Sequence, residues 1–358
     1  MTTTTVGRPW AEKYRPRKLS DVVAHEDIRR TFQNMVETTN VPHLLLYGPP
    51  GTGKTSTIKA LGHELYGEHF SRRLICYNAS DDRGIDAVRD KICPAARATV
   101  SALPRADGTM TPPVQIIMLD EADAMTSEGQ DALRVIIERY SHITRFVFVC
   151  NYIDQITEAI KSRCTHVYFP PVGKRETIRR LKDLGEREEL QLSNELYNTI
   201  AEVSAGDLRR AIVILQQTAK LVDYRSRYSR PLCELSVEEF RGVLLSPNSS
   251  SQIVPSDIYD LAATPRPEEA DQWLRDIIQT PDLTSTMNLV KNIVSSGRPA
   301  DEVCEALFLA VLRSDLSEDV QCTVCLGAAE CVAAVIEGAD TWLQLLQIAV
   351  RIRTGSRS

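Results

Sequence analysis

The chain predicts an α/β domain built on a buried parallel sheet, followed by two all-helical domains. Three observations carry this reading. Short apolar runs alternate with helix-like stretches through the first half, the pattern of a parallel sheet covered by crossover helices. A Gly-rich turn lies between the first clear strand and a helical stretch at 56–65. After Pro170-Pro171-Val172-Gly173 the strand signal fades and apolar residues recur at helical spacing.

The elements follow in order. Strands are expected at 43–47, 74–78, 115–119, 145–150 and 167–169, and apolar runs without alternation predict strands buried on both faces. Residues 101–113 hold three prolines and a Gly and read as an exposed loop. Ile178, Leu181 and Leu184, then Leu196, Ile200 and Val203, then Leu208, Ile212 and Leu215 outline a three-helix bundle ending near Val222. Stretches 223–230 and 246–251 read as linker. From Pro255 helical periodicity returns in about five segments, among them 268–278, 300–312 and 342–352. The expected domains are 1–172, 173–235 and 250–358.

Composition sets the outer bounds. The 358 residues carry 42 Lys+Arg against 48 Asp+Glu, a net charge of −6, and 43% are hydrophobic, which excludes a disordered tail and a histone-like polycation. An acidic chain is also a poor first candidate for binding nucleic acid. No run approaches the ~18 consecutive apolar residues of a membrane span, and the Thr-rich start has no apolar signal core, so a soluble chain is expected. Nine scattered cysteines in a chain large enough to bury a core predict thiols rather than disulfides.

Gly48-Pro49-Pro50-Gly51-Thr52-Gly53-Lys54-Thr55, followed by Ser56, matches G-x-x-x-x-G-K-[ST] between strand and helix. Glycines let successive backbone N–H groups point at a β-phosphate, the helix start adds positive potential, Lys54 reaches the β/γ oxygens, and the Thr55 hydroxyl ligates Mg²⁺. Farther on, Ile116-Ile117-Met118-Leu119 ends in Asp120 and Glu121. A strand end beside the phosphate loop would let Asp120 hold Mg²⁺ through water and Glu121 polarise the attacking water. The alternative is that Asp120, Glu121 and Asp123 merely cap the next helix.

Taken together, these residues resemble a known family, the AAA+ clamp loaders, and within it the small subunits of replication factor C, closest to the group numbered four in animals. The marks are Trp10-Ala11-Glu12-Lys13-Tyr14-Arg15-Pro16, the phosphate loop, Asn78-Ala79-Ser80-Asp81-Asp82-Arg83-Gly84-Ile85, Leu119-Asp120-Glu121-Ala122-Asp123, Cys150-Asn151-Tyr152, Ser162-Arg163-Cys164 and Gly206-Asp207-Leu208-Arg209-Arg210-Ala211. The resemblance implies an AAA+ P-loop NTPase domain, a small helical lid and an all-α collar that holds a heteropentamer of replication factor C subunits together. It implies ATP and Mg²⁺ as cofactors, with Tyr14, Arg15 and the backbone near Val23 beside the adenine. Asn151 becomes the γ-phosphate sensor, Arg209 a second sensor on the lid, and Arg163 a finger acting in trans on the neighbouring subunit's ATP. Arg83 and Arg89, with Lys91 and Arg97 beyond, would track a DNA backbone. The implied partners are the ring-shaped sliding clamp, proliferating cell nuclear antigen, and primer-template DNA, in the nucleus and away from membranes.

Plainer readings stand beside these. Tyr14 and Trp10 could only pack the N-terminal segment, Asn151 could serve a turn, Arg209 a salt bridge, and Arg83 and Arg89 a solvated helix face shared with Asp86 and Asp90. Ala159 and Val135 depart from the family pattern, and the second removes a positive charge from its helix. Cys322 and Cys325 with Cys331 read as helix core rather than a zinc site, for want of a second ligand pair. The competing functions are another AAA+ DNA-remodelling ATPase, such as a Holliday-junction motor with a winged-helix end, or a scaffold subunit that binds ATP with little turnover.

Overall fold

The computed structural model describes residues 8–23, 25–81, 83–227, 253–336 and 338–355. Most of the expected linkers, the domain boundaries at 235 and 250, Asp82, and both chain ends fall outside these residues. The chain divides into two compact units, Met1–Gln216 and Gln217–Ser358.

In the first unit, α1 (Trp10–Lys13) and α2 (Glu26–Glu37) precede a five-stranded parallel sheet. Its strands are β1 (Leu44–Tyr47), β2 (Leu74–Asn78), β3 (Gln115–Asp120), β4 (Thr144–Cys150) and β5 (Thr165–Tyr168), in the order β2-β3-β4-β1-β5. The crossovers are α3 (Lys54–Tyr66) with α4 (Phe70–Arg73), then α5 (Ile85–Ala87) running through a π-helical turn, Val88–Ile92, into α6 (Cys93–Ala96), then α7 (Ser127–Tyr140) and the short α8 (Glu158–Lys161). α7 starts where Thr126 turns its hydroxyl oxygen to accept the Gly129 N–H at 3.2 Å.

The three inner strands behave as their apolar runs predict. Leu44, Leu46, Val147 and Val149 point into one core with Phe32, Ile58, Leu61 and Phe169, while Leu45, Phe146 and Phe148 alternate into the other with Leu133 and Ile137. Each such side chain contributes ~1.5–3 kcal/mol by leaving water. The two edge strands correct the expectation, because β5 has no buried residue and β2 buries only Leu74. An edge strand lacks a neighbour to cover it, so an apolar run there does not enforce burial. The loop at 101–113 also departs from expectation. Most of it is exposed, but Thr111 and Pro112 are buried, and Pro104 and Met110 form an isolated bridge.

Next come α9 (Lys174–Arg187), α10 (Asn194–Val203) and α11 (Leu208–Arg227), the expected bundle. α11 does not stop near Val222. No Gly or Pro interrupts residues 208–227, so nothing in the chain ends the helix where a linker was expected. The second unit holds α12 (Pro255–Leu261), α13 (Pro267–Gln279), α14 (Leu283–Ser295), α15 (Ala300–Arg313), α16 (Glu318–Ile336) and α17 (Thr341–Gly355), one helix more than the periodicity suggested. Leu274, Ile277, Val303, Leu307, Val324 and Ile348 are part of its core. Cys331 lies there against Cys304, Sγ to Sγ at 3.1 Å, while Cys322 is exposed.

Strand register brings the ends of the sheet level. Asn78 lies opposite Asp120, Leu119 opposite Phe148 and Tyr47 opposite Cys150, so the carboxyl ends of the inner strands finish side by side. In an open parallel sheet that edge is where ligands bind.

Candidate active site

The loop between β1 and α3 is held in a shape only glycine permits. Gly48 sits at φ +137, where a Cβ would meet the Phe169 carbonyl oxygen at 2.1 Å. Gly51 sits at φ +70, where a Cβ would strike the Asp207 carboxylate at 1.8 Å. Lys54 begins α3 buried, its ammonium donating to the carbonyls of Gly48 at 2.6 Å and Pro49 at 2.7 Å and to Asn151 Oδ1 at 3.1 Å. Burial pulls this ammonium below its ordinary pKa, an effect that Cys150 and the carboxylates of Asp120, Asp123 and Asp207 only partly offset.

Beside it, the Thr55 hydroxyl donates to Asp120 at 3.0 and 3.2 Å to its two oxygens. Glu121 follows in the left-handed region, φ 55 and ψ 42, a conformation that strains a residue with a side chain. Asp123 does not cap a helix. Its Oδ2 accepts the N–H groups of Asn151 at 3.0 Å and Tyr152 at 3.2 Å, which fixes the turn after β4. Burial pushes the Cys150 and Cys164 thiols up to about 12, so neither is a thiolate nucleophile near neutral pH.

Lys54, Thr55, Asp120, Glu121, Cys150 and Asn151 border one cleft with a volume of about 270 Å³. Pro50, Gly51, Thr52, Gly53, Lys54, Thr55 and Ser56 form its floor, with Asp120, Glu121 and Asn151 on one side. Tyr14, Arg15 and Val23 also line it, the Val23 carbonyl close to Gly53, and Arg209 reaches in from α11. Gly48 and Pro49 do not line it; their carbonyls lie behind the loop and hold Lys54.

Arg163, Arg83 and Arg89 lie elsewhere. Arg163 is not at the start of a strand but just past α8, because β5 begins only at Thr165. Its guanidinium pairs with Glu138 of α7 and donates to the Ala159 carbonyl at 2.7 Å. Arg83 and Arg89 are exposed, as are Lys91 and Arg97, and Arg83 donates to the Ser80 carbonyl at 2.8 Å.

Sequence reasoning passed over three contributors. Arg180 of α9 lines the cleft and donates to the Tyr14 carbonyl at 2.9 Å; within a basic run, nothing separated it from Arg179 until the helix phase was known. Asp207 caps α11 by accepting the Arg210 N–H at 2.9 Å, and Leu208 N–H bonds Gly51 O at 3.2 Å, which seats the bundle on the phosphate loop. An Asp before a helical run was a readable signal for the cap. Asp123 was visible only as a neighbour of Asp120.

The residues fit a nucleotide and a hard divalent cation. Gly51 and Gly53 leave the backbone just before the start of α3 without side chains, and Thr55 with Asp120 offers oxygen donors of the kind Mg²⁺ takes. Among the described residues no group of three or more His, Cys, Asp or Glu side chains is placed to hold a metal.

Comparison with known proteins gives consistent matches along the chain. Residues 44–172 match the ATPase family associated with various cellular activities, 179–220 an AAA+ ATPase lid domain, and 265–351 the replication factor C C-terminal domain. Replication factor C subunit 4 of Arabidopsis thaliana is 37% identical over 96% of this chain and 94% of its own. Subunit 4 of Homo sapiens is 34% identical over 96% of this chain and 87% of its own, and subunit 2 of Oryza sativa 36% identical over 96% and 93%. Among solved structures, the Thermotoga maritima RuvB Holliday junction branch migration motor superposes with a TM-score of 0.52 at 16% identity, over 83% of this chain and 90% of that one, a likeness of fold.

Proposed function

The chain belongs to the small subunits of replication factor C, AAA+ ATPases that form clamp loaders, and from that premise we propose that it binds and hydrolyses ATP in the cleft beside the phosphate loop as one member of a heteropentamer. In this reading the cycle opens the sliding clamp, proliferating cell nuclear antigen, and loads it onto primer-template DNA in the nucleus. The chain is then organised as an ATPase domain over 1–172, a lid over 173–235 and a collar over 250–358.

One observation supports this most strongly: at the end of the phosphate loop Lys54 donates to Asn151 and Thr55 donates to Asp120, and all four residues line the same cleft. The loop N–H groups cradle the phosphates, and Lys54 exchanges its carbonyl partners for β/γ oxygens. Thr55, and Asp120 through water, would hold Mg²⁺, which would supply charge neutralisation. Glu121 orients the attacking water, Asn151 hydrogen-bonds the γ-phosphate side, and Arg209 reports the same phosphate to the lid. Tyr14, Arg15 and Val23 wall the base. Arg163 is the finger for the next subunit's ATP, which accords with its position away from its own cleft.

The solved structures that share the fold raise the motor reading, but a winged-helix end requires strands. The described residues of the second unit hold helices and no strand, which favours the clamp-loader reading. The test is nucleotide binding by the full chain and turnover by the reconstituted complex. Lys54→Ala is expected to weaken ATP binding by at least about tenfold, the value of one lost charge-assisted bond. Unchanged binding would overturn the assignment of the cleft, and turnover that stays near zero in the intact complex with clamp and DNA would favour a scaffold.

A further inference from the structure

The segment that walls the base side of the cleft is anchored at both ends, to different layers. Downstream, Leu19 and Val22 are buried in the sheet core, and the Leu19 N–H donates to Glu64 Oε1 of α3 at 2.7 Å. Upstream, its long-range side-chain contacts run to the three-helix bundle. The Trp10 N–H donates to Gln216 Oε1 of α11 at 3.1 Å, and Arg180 of α9, itself paired with Asp183, donates to the Tyr14 carbonyl. Lys13 Nζ and Tyr14 Oη both reach one oxygen, Oε1 of Glu188 at the end of α9, at 2.6 and 2.5 Å. Tyr14, Arg15 and Pro16, between the two sets of anchors, line the cleft.

We propose that Glu188 is a positioning residue for nucleotide binding: it holds the Tyr14 ring as the base-side wall and ties the bundle to whatever occupies that wall. The proposal rests on the nucleotide reading of the cleft. Arg180 secures only the backbone of Tyr14. The ring meets the Trp10 ring edge-on at 6.4 Å and lies under the Lys13 ammonium at 4.9 Å, and Glu188 accepts from both that ammonium and the Tyr14 hydroxyl, so it fixes the polar end of the ring and the cation over its face. Burial with the Glu188 contact raises the Tyr14 phenol above its ordinary value. Burial would lift the Glu188 carboxyl, but Lys13 and Tyr14 outweigh it and hold the acid ionised. The charged acceptor therefore persists through neutral pH. Because the Lys13–Glu188 pair is solvent-accessible, its direct contribution to folding is small, and its effect belongs in nucleotide affinity.

The test uses the full chain with a fluorescent ATP analogue, and ATP turnover by the reconstituted complex. Glu188→Ala is expected to raise Kd and KM for ATP about five- to tenfold, as loss of a bond to a charged acceptor implies, with kcat and melting temperature nearly unchanged. Glu188→Gln keeps an oxygen for the Tyr14 hydroxyl and should recover most of the loss. Tyr14→Phe should match Glu188→Ala, and the double variant should lose no more than either alone. A Kd for Glu188→Ala within about twofold of the parent, or losses that multiply in the double variant, would overturn the proposal. Lys54→Ala in the same series separates the two failures: a weakened Lys54→Ala with an unaffected Glu188→Ala sinks only the role of Glu188, whereas unaffected binding by Lys54→Ala sinks the nucleotide reading and this proposal with it. Should Glu188→Ala fail to fold, Tyr14→Phe carries the comparison.

Discussion

Glu121 shows how the site spends conformational energy at a single residue. A left-handed backbone costs a non-glycine residue roughly 1–2 kcal/mol, and it persists here because Asp120 is paired with Thr55 just before it and the Ala124 N–H bonds the Glu121 carbonyl at 2.9 Å just after it. The residue so held lines the cleft beside Asp120. Glu121→Gln keeps the shape and removes the base, so nucleotide binding is expected to survive while turnover falls by about 10² or more; turnover within a few-fold of the parent would remove Glu121 from the chemistry. Lys54, Thr55 and Asp120 were legible in the chain because their spacing encodes them, and Asn151 through the family resemblance. Arg180 and Asp123 were not, since each acts only once folding brings distant backbone to it.

At the level of elements, the inner strands were readable to within a residue because burial on both faces demands unbroken apolar runs. The burial of the edge strands and the far end of α11 were misjudged, since pattern does not tell which strand will lack a neighbour. The entry to β1 carries a pH-sensitive joint. His43 Nδ1 accepts the Phe146 N–H at 3.0 Å, and burial, with Arg145 nearby, lowers its pKa from 6.5 to about 4. The folded chain holds this imidazole neutral while the unfolded chain protonates it below 6.5. Its stabilisation is therefore complete above pH 6.5 and is lost as pH falls toward 4. Melting temperatures measured across that window should drop with acid, and less so for His43→Gln. Equal slopes for the two chains would show that His43 does not control the effect.

Across the whole molecule, charge and assembly dominate. The net charge of −6 is an average, and it does not describe a surface segment such as that carrying Arg83, Arg89 and Arg97, all exposed. If a ring multiplies that segment, DNA binding belongs to the assembly: the isolated chain should bind DNA feebly, and the ATP-loaded complex strongly, with affinity falling steeply in salt. Tight, salt-sensitive binding by the lone chain would contradict this. Arg163 follows the same logic. Paired with Glu138 of its own chain, it does not line that chain's nucleotide cleft. Arg163→Ala should slow ATP turnover at the neighbouring subunit's site by about 10³ or more, the range of an arginine finger, and leave its own chain's nucleotide affinity intact. An unaltered neighbour would refute the finger.

The one-dimensional order of residues determined the fold class, the phosphate loop and the carboxylates after β3, because these depend on local conformation and on contiguous apolar runs. Tertiary structure decided which strands became edges, that Asp207 and Leu208 seat the bundle on Gly51, and that Glu188 and Arg180 grip Tyr14 at the cleft. Those contacts join residues far apart in the chain, and no periodicity or spacing specifies a meeting that only the packing of one layer on another creates.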